Sequence, residues 1–135
     1  IAFTANIIIA QRLVRKICPD CIESYAVPQN LKEIIKRQFI ESPYKKESYH
    51  IPTQLYRGRG CKVCGNTGYK GRLAIYEIFN INEQIRNYIQ SPKFSIDGLR
   101  ELAGKQQMVT LFEDGLVKAE LGITTVEEVF RVIQE

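Results

Sequence analysis

The chain has 135 residues and a mass of 15.5 kDa, which bounds it to one domain or one compact piece of a larger protein. Apolar residues make up 44% of it, enough to build a core, so a folded chain is expected. The formal charge is only +4 and its carriers mix with acids, a balance that fits a solvated surface better than a nucleic-acid footprint.

The opening stretch, IAFTANIIIAQRLVRK, has no initiator Met and no secretory signal, and its apolar run is far too short to span a membrane. It reads as a cut through a larger protein, with chemistry expected upstream. A helix ending near Thr4 is expected first. Residues Ile7 to Ile17 are rich in β-branched and aliphatic side chains, which suits a mostly buried strand. After a Cys-x-x-Cys, Pro28-Gln-Asn30 introduces LKEIIKRQFIE, a helix with Asn30 as N-cap and Leu31, Ile34, Ile35 and Phe39 on one face. SPYKKESYHIPTQ reads as loop, and Leu55-Tyr56 as a short apolar run into a second Cys-x-x-Cys. RLAIYEIFNI is a second strand, with Leu73, Ile75 and Glu77 on one face and Ala74, Tyr76 and Ile78 on the other. The remainder reads helical. NEQIRNYIQ is closed by Ser91-Pro92, and SIDGLRELAGKQQ is capped by Ser95 with Ile96, Leu99 and Leu102 as its stripe. TLFEDGLVKAELG carries a capping box at Thr110 and Glu113 and ends at Gly122. TVEEVFRVIQE opens at Thr124 or Thr125, with Val126, Val129, Phe130 and Ile133 at helical spacing.

The four cysteines form two pairs, Cys18-Pro-Asp-Cys21 and Cys61-Lys-Val-Cys64. Each C-x-x-C makes a tight knuckle that sets two sulfurs on one ion, and two knuckles complete a tetrahedral shell. Disulfides suit a small secreted domain, of which there is no sign here, and a redox C-x-x-C would leave the second pair unexplained. One metal held by Cys18, Cys21, Cys61 and Cys64 is therefore the preferred reading. Zinc is the default ion, with iron the alternative, because Cys64-Gly65 also resembles half of a rubredoxin-type knuckle. If the two long strands pair antiparallel, residues 18–70 are one excursion from a hairpin. The 39 residues between Cys21 and Cys61 are too many for an unsupported loop, so a metal clamp at the base has a stabilising role. Four thiolates leave no open coordination position for catalysis.

Enzyme chemistry finds little support in these residues. There is no G-x-x-x-x-G-K-[ST] loop and no G-x-G-x-x-G. The one histidine, His50, lies in a polar loop with no evident partner. Glu113-Asp114 and Glu127-Glu128 fit first-turn cap and dipole chemistry, and Met108 fits the core. No catalytic and no nucleotide-binding residue is assigned. The basic stretch Arg57, Arg59, Lys62, Lys70 and Arg72 offsets the charge of a four-thiolate centre or faces a protein. Only Tyr56 and Tyr69 interleave it, too few aromatic residues for a nucleic-acid groove.

Several segments carry a resemblance. Ala10-Gln-Arg-Leu-Val-Arg-Lys-Ile-Cys-Pro-Asp-Cys21 resembles the AQRLvRxLCxxC segment of the type II secretion and type IV pilus assembly ATPases. Gly60-Cys-Lys-Val-Cys-Gly-Asn-Thr-Gly-Tyr-Lys-Gly-Arg72 is similar to their GCxxCxxTGYxGR, and AIYEIF follows at the place of their xIxE strand. Met108-Val-Thr-Leu-Phe-Glu-Asp-Gly115 fits GMxTLxxDG with Gln107 in place of the first glycine, a change expected to alter only a helix end. Residues 122 to 132 are similar to the GxTTxEEVxRV ending.

The resemblance implies a mixed α/β fold: the C-terminal part of a RecA-like ATPase core, a β-hairpin interrupted by a tetracysteine zinc module, then a C-terminal helical bundle. The expected division is the end of a helix plus a core strand over 1–17, the module with one helix over 18–70, a core strand over 71–80 and a helical subdomain over 81–135. It further implies one structural zinc on the four cysteines, with ATP and Mg2+ bound only by upstream regions, so this chain alone is expected to be inactive. Same-family subunits in a hexamer and the cytoplasmic domains of inner-membrane secretion or pilus proteins are the implied partners. The implied location is the bacterial cytoplasm, peripheral at the inner membrane, with no transmembrane segment. Two other readings fit less. A DnaJ-type zinc co-chaperone module needs repeated C-x-x-C-x-G-x-G, but Asn66 stands where its first glycine belongs. A free-standing zinc ribbon on nucleic acid leaves the helical tail without a purpose.

Overall fold

The computed structural model describes residues 5–44 and 48–134. In chain order its elements are β1 (Ile7–Ile17), β2 (Ile22–Ala26), α1 (Gln29–Ile40), β3 (Gln54–Gly58), β4 (Tyr69–Asn80), α2 (Glu83–Ile89), α3 (Ile96–Lys105), α4 (Leu111–Glu120) and α5 (Val126–Ile133). The mixed α/β class expected from the sequence is what the structure shows. The helix expected to end near Thr4 lies outside the described residues.

β1 and β4 pair antiparallel from Ile7↔Asn80 to Arg15↔Arg72. Next to the first knuckle the register shifts: the two steps from Arg15 to Ile17 face three from Arg72 to Tyr69. The extra residue is a bulge, and Gly71 there takes φ +82°, a conformation that costs glycine little. β2 and β3 form a second antiparallel pair, Ile22↔Gly58 through Ala26↔Gln54. The sequence reading places no strand at IESYA; its two polar residues hide the pattern, and pairing along all of β3 creates the strand.

Among the described residues, the β1–β4 sheet is covered on one face only. Val14 and Ile75 are fully buried there and pack with Val132 of α5, flanked by Leu73, Leu111 and Ile133. The mostly buried β1 expected from composition is corrected by the other face, where Ile7, Ile9 and Leu13 are about half exposed beside Tyr76 and Ile78. A run apolar on both faces belongs to a sheet with layers on both sides, and the described residues supply one.

α1 opens earlier than its sequence suggests. Pro28, at φ −70°, is the N-cap and its carbonyl accepts from the amides of Leu31 and Lys32, so Asn30 lies inside the helix and caps nothing. The fixed φ of proline presets this entry. Ile35 and Phe39 face inward while Ile34 is exposed. Asn82, Ser95, Thr110 and Thr125 cap the four later helices through their side chains, and Thr110 with Glu113 closes a full capping box. Ala103 and not Ile96 is the buried residue of α3. Gln107 takes φ +59° just past the end of α3, so a side chain sits at a left-handed position that glycine fills more easily.

Val27, Ile35, Phe39 and Leu55 from the cysteine-flanked excursion share one core with Phe112, Leu116, Ala119, Val126 and Val129 of α4 and α5. Phe39 stacks on Tyr49 at 4.8 Å and meets Phe112 edge-on at 5.4 Å. The excursion is therefore fused to the helical tail by packing, and it does not stand apart on a stalk.

Candidate metal centre

The site forms where β1 ends and β4 begins. The Cys18 amide donates to Gly68 O at 2.9 Å, and the Arg59 amide donates to Cys21 O at 3.0 Å, so backbone bonds from both sides fix the first knuckle against the second. Gly58 and Gly68 cross here backbone to backbone. A Cβ on Gly58 would lie 2.2 Å from Gly68 O, and Gly68 itself has φ +81°, so neither position accepts a side chain without displacing the crossing. In the second knuckle the Asn66 amide donates to Cys61 O at 2.7 Å, and the Thr67 hydroxyl to Cys64 O at 2.8 Å.

All four Sγ atoms lie within 4.8 Å of one another. The near pairs are Cys61–Cys64 at 3.7 Å, Cys18–Cys61 at 3.8 Å and Cys21–Cys64 at 3.9 Å. A tetrahedron with metal–sulfur bonds of about 2.3 Å has edges of about 3.8 Å, so the donor set fits a single four-thiolate ion. None of the four is joined in a disulfide in this structure. Backbone amides also point at sulfur: Gly60 N–H to Cys21, and Cys61 and Gly68 N–H to Cys64, at 3.2–3.4 Å.

These surroundings split the thiols. Burial, opposed by the Gly60 amide, pushes Cys21 up to about 11. Burial works against ionising Cys64 as well, yet the amides of Cys61 and Gly68 outweigh it and bring Cys64 down to about 6. A metal bound here would take sulfur as thiolate, so loading the site would release the thiol protons that remain. Of the basic stretch, Arg57 and Arg59 reach Glu23 at 3.0 and 3.7 Å, whereas Lys62, Lys70 and Arg72 are exposed around the second knuckle.

The comparisons with known proteins bear on this arrangement. The family model of the type II/IV secretion system protein matches residues 1–131. The chain belongs to that family. This secretion-family chain is 40% identical over 123 residues to the type IV pilus assembly ATPase PilB of Thermus thermophilus, covering 90% of the chain and 13% of the relative. It is 35% identical over 136 residues to the type II secretion system ATPase E of Vibrio cholerae, covering 95% and 23%. It is 38% identical over 136 residues to the type IV pilus assembly ATPase PilB of Pseudomonas aeruginosa, covering 100% and 22%. The chain therefore spans less than a quarter of the length of these relatives.

Within the secretion-family chain the four predicted ligands, Cys18, Cys21, Cys61 and Cys64, come together in one cluster. His50, expected to lack a partner, sits 2.8 Å from Glu120 in an exposed pair. Glu128 departs furthest from expectation. It is 2% exposed and accepts from the Arg15 amide at 2.8 Å, from Arg15 Nε at 3.0 Å and from Arg131 Nε at 2.7 Å. Arg15 lies over the Tyr69 ring at 4.1 Å, the Tyr69 hydroxyl meets Thr125 Oγ1 at 2.8 Å, and the Thr124 hydroxyl donates to Arg15 O at 2.7 Å. The TTxEExxR run of the tail thus pins α5 to the strand that leads into Cys18. The i,i+3 spacing of Glu128 and Arg131 hints at a pair; nothing local identifies Arg15 as the third member. Among the described residues, no helix is long and apolar enough to cross a membrane.

Proposed function

We propose that this chain is the C-terminal part of a hexameric secretion or pilus-assembly ATPase, in which Cys18, Cys21, Cys61 and Cys64 hold one structural zinc. The parent would hydrolyse ATP to drive pilin or pseudopilin assembly and protein secretion, with ATP and Mg2+ bound upstream of these residues. The observation that carries the reading is a four-sulfur cluster at tetrahedral spacing inside a family match over residues 1–131. The apolar, uncovered face of β1 and β4 supports a place in a larger RecA-like core with a layer on that side.

The zinc is a staple in this reading. It joins the end of β1 to the start of β4 across the excursion of 18–70, closing a loop whose other support is the shared core. The second knuckle, with Lys62, Val63 and Lys70 exposed, is the proposed docking surface for cytoplasmic domains of inner-membrane machinery, and docking there would hold the protein at the cytoplasmic side of that membrane. Elemental analysis of protein purified without added metal is expected to find one zinc per chain. A clean zero would sink the reading, and one iron would correct the ion. Chelation should raise hydrogen exchange around 18–21 and 58–68 while α4 and α5, held by their own core, stay protected. The pure chain is expected to show no ATP turnover.

A further inference from the structure

The two knuckles are not equivalent. Cys18 and Cys21 are 0% and 2% exposed, whereas Cys61 and Cys64 are partly open. Lys62, Val63, Gly65, Asn66 and Thr67 around the second pair are all exposed, and nothing lies within 4 Å of the place a Cβ would take on Gly65. Reagents in water therefore reach the centre from the second knuckle.

The sulfurs also differ in what quiets them. Cys64 accepts two backbone amides, and Cys21 accepts one. Cys18 is fully buried and out of reach of reagents in water. Among the described residues no backbone amide donates to the sulfur of Cys61. Amide donors draw charge from a thiolate and lower its nucleophilicity, so a metal-bound sulfur without them attacks fastest.

We propose that Cys61 is the reactive thiolate of this centre, the point at which electrophiles and peroxides enter and from which the metal is discharged. The inference rests on the four-cysteine metal reading given above. With hydrogen peroxide as oxidant, Cys61 Sγ attacks one peroxide oxygen; an S–O bond forms, the O–O bond breaks and hydroxide leaves, giving a sulfenic acid. Cys64 Sγ, 3.7 Å away on the same exposed turn, attacks the Cys61 sulfur and displaces a second hydroxide, forming the disulfide. Two thiolates together lose the two electrons that one peroxide gains. Two of the four donors are then gone, and the remaining pair cannot close a four-coordinate shell. Because α4 and α5 keep a core with α1 and β3, the loss opens the knuckles without unfolding the tail.

The test needs no substitution. Metal-loaded protein is treated with less than one equivalent of N-ethylmaleimide, quenched and mapped by peptide mass spectrometry, with metal release followed in parallel by a chromogenic chelator. Cys61 should be alkylated about tenfold faster than any other cysteine. One equivalent of peroxide should give a Cys61–Cys64 disulfide with one metal released. First attack at Cys18, Cys21 or Cys64, unselective labelling, no reaction, or a different disulfide would each overturn the proposal while leaving the metal reading intact. Absence of metal from the purified protein would overturn both.

Discussion

At Glu128 one carboxylate takes an amide and two guanidinium groups, and the consequence is measurable. Burial alone would raise its pKa, but hydrogen bonds from Arg131 and Arg15 outweigh that and hold it at about 2. A carboxylate whose folded value lies below its unfolded one adds stability above the unfolded value. That contribution is complete above pH 4.5 and is lost as pH falls toward about 2. Glu128→Gln should cost about 1–3 kcal/mol at neutral pH, an amount limited because both arginines remain half in water. Urea titrations at several pH values should show the variant flatter than wild type across that acid window. Equal slopes would mean the carboxylate is not the acid-sensitive group. A metal held by the four cysteines would be lost in acid as well, since protons compete with it for thiolate sulfur.

Helix α4 crosses α5 at a point where there is no room for a side chain. A Cβ on Gly115 would sit 2.6 Å and 2.8 Å from the two γ-methyls of Val129 and 3.3 Å from Ile75 Cδ1. The close approach lets α4 bring Asp114 to the outer edge of β4, where it accepts the Tyr76 amide at 2.8 Å. Lys118, one turn on, donates to Ala74 O at 3.0 Å, so two side chains blunt that strand edge. Gly115→Ala should overpack this crossing and lower stability by about 1–3 kcal/mol, checked by thermal and urea unfolding. An unchanged midpoint would show that α4 can slide. The pattern Asp114-Gly115 is plain in the sequence. Its reason is not, because the clash partners Val129 and Ile75 come from two other elements. The helix caps at Ser95, Thr110 and Thr125 were legible for the opposite reason: each depends on residues within three positions of itself.

At the largest scale, the decisive asymmetry among the described residues is a sheet packed on one side. Ile75 is fully buried against α4 and α5, and Ile75→Ala should cost about 2–5 kcal/mol. Ile9 and Ile78, paired across the bare face, are 55% and 43% exposed, so Ile9→Lys or Ile78→Lys should shift the stability of this chain by less than about 0.5 kcal/mol. Denaturant titration of the three variants measures both claims, and a large loss from either lysine would mean that face is already covered. The amino-acid sequence by itself determined the two long strands, the helices with the caps at Ser95, Thr110 and Thr125, and the four metal-seeking cysteines, because strand pattern, cap chemistry and C-x-x-C geometry are all short-range. The tertiary structure alone decided that the four sulfurs meet at tetrahedral spacing, that the excursion shares its core with the tail, and that Glu128 joins Arg15 across 113 residues. It also decided which face of β1 is packed. Those outcomes depend on which surfaces meet when the chain closes on itself, and no local pattern encodes that choice.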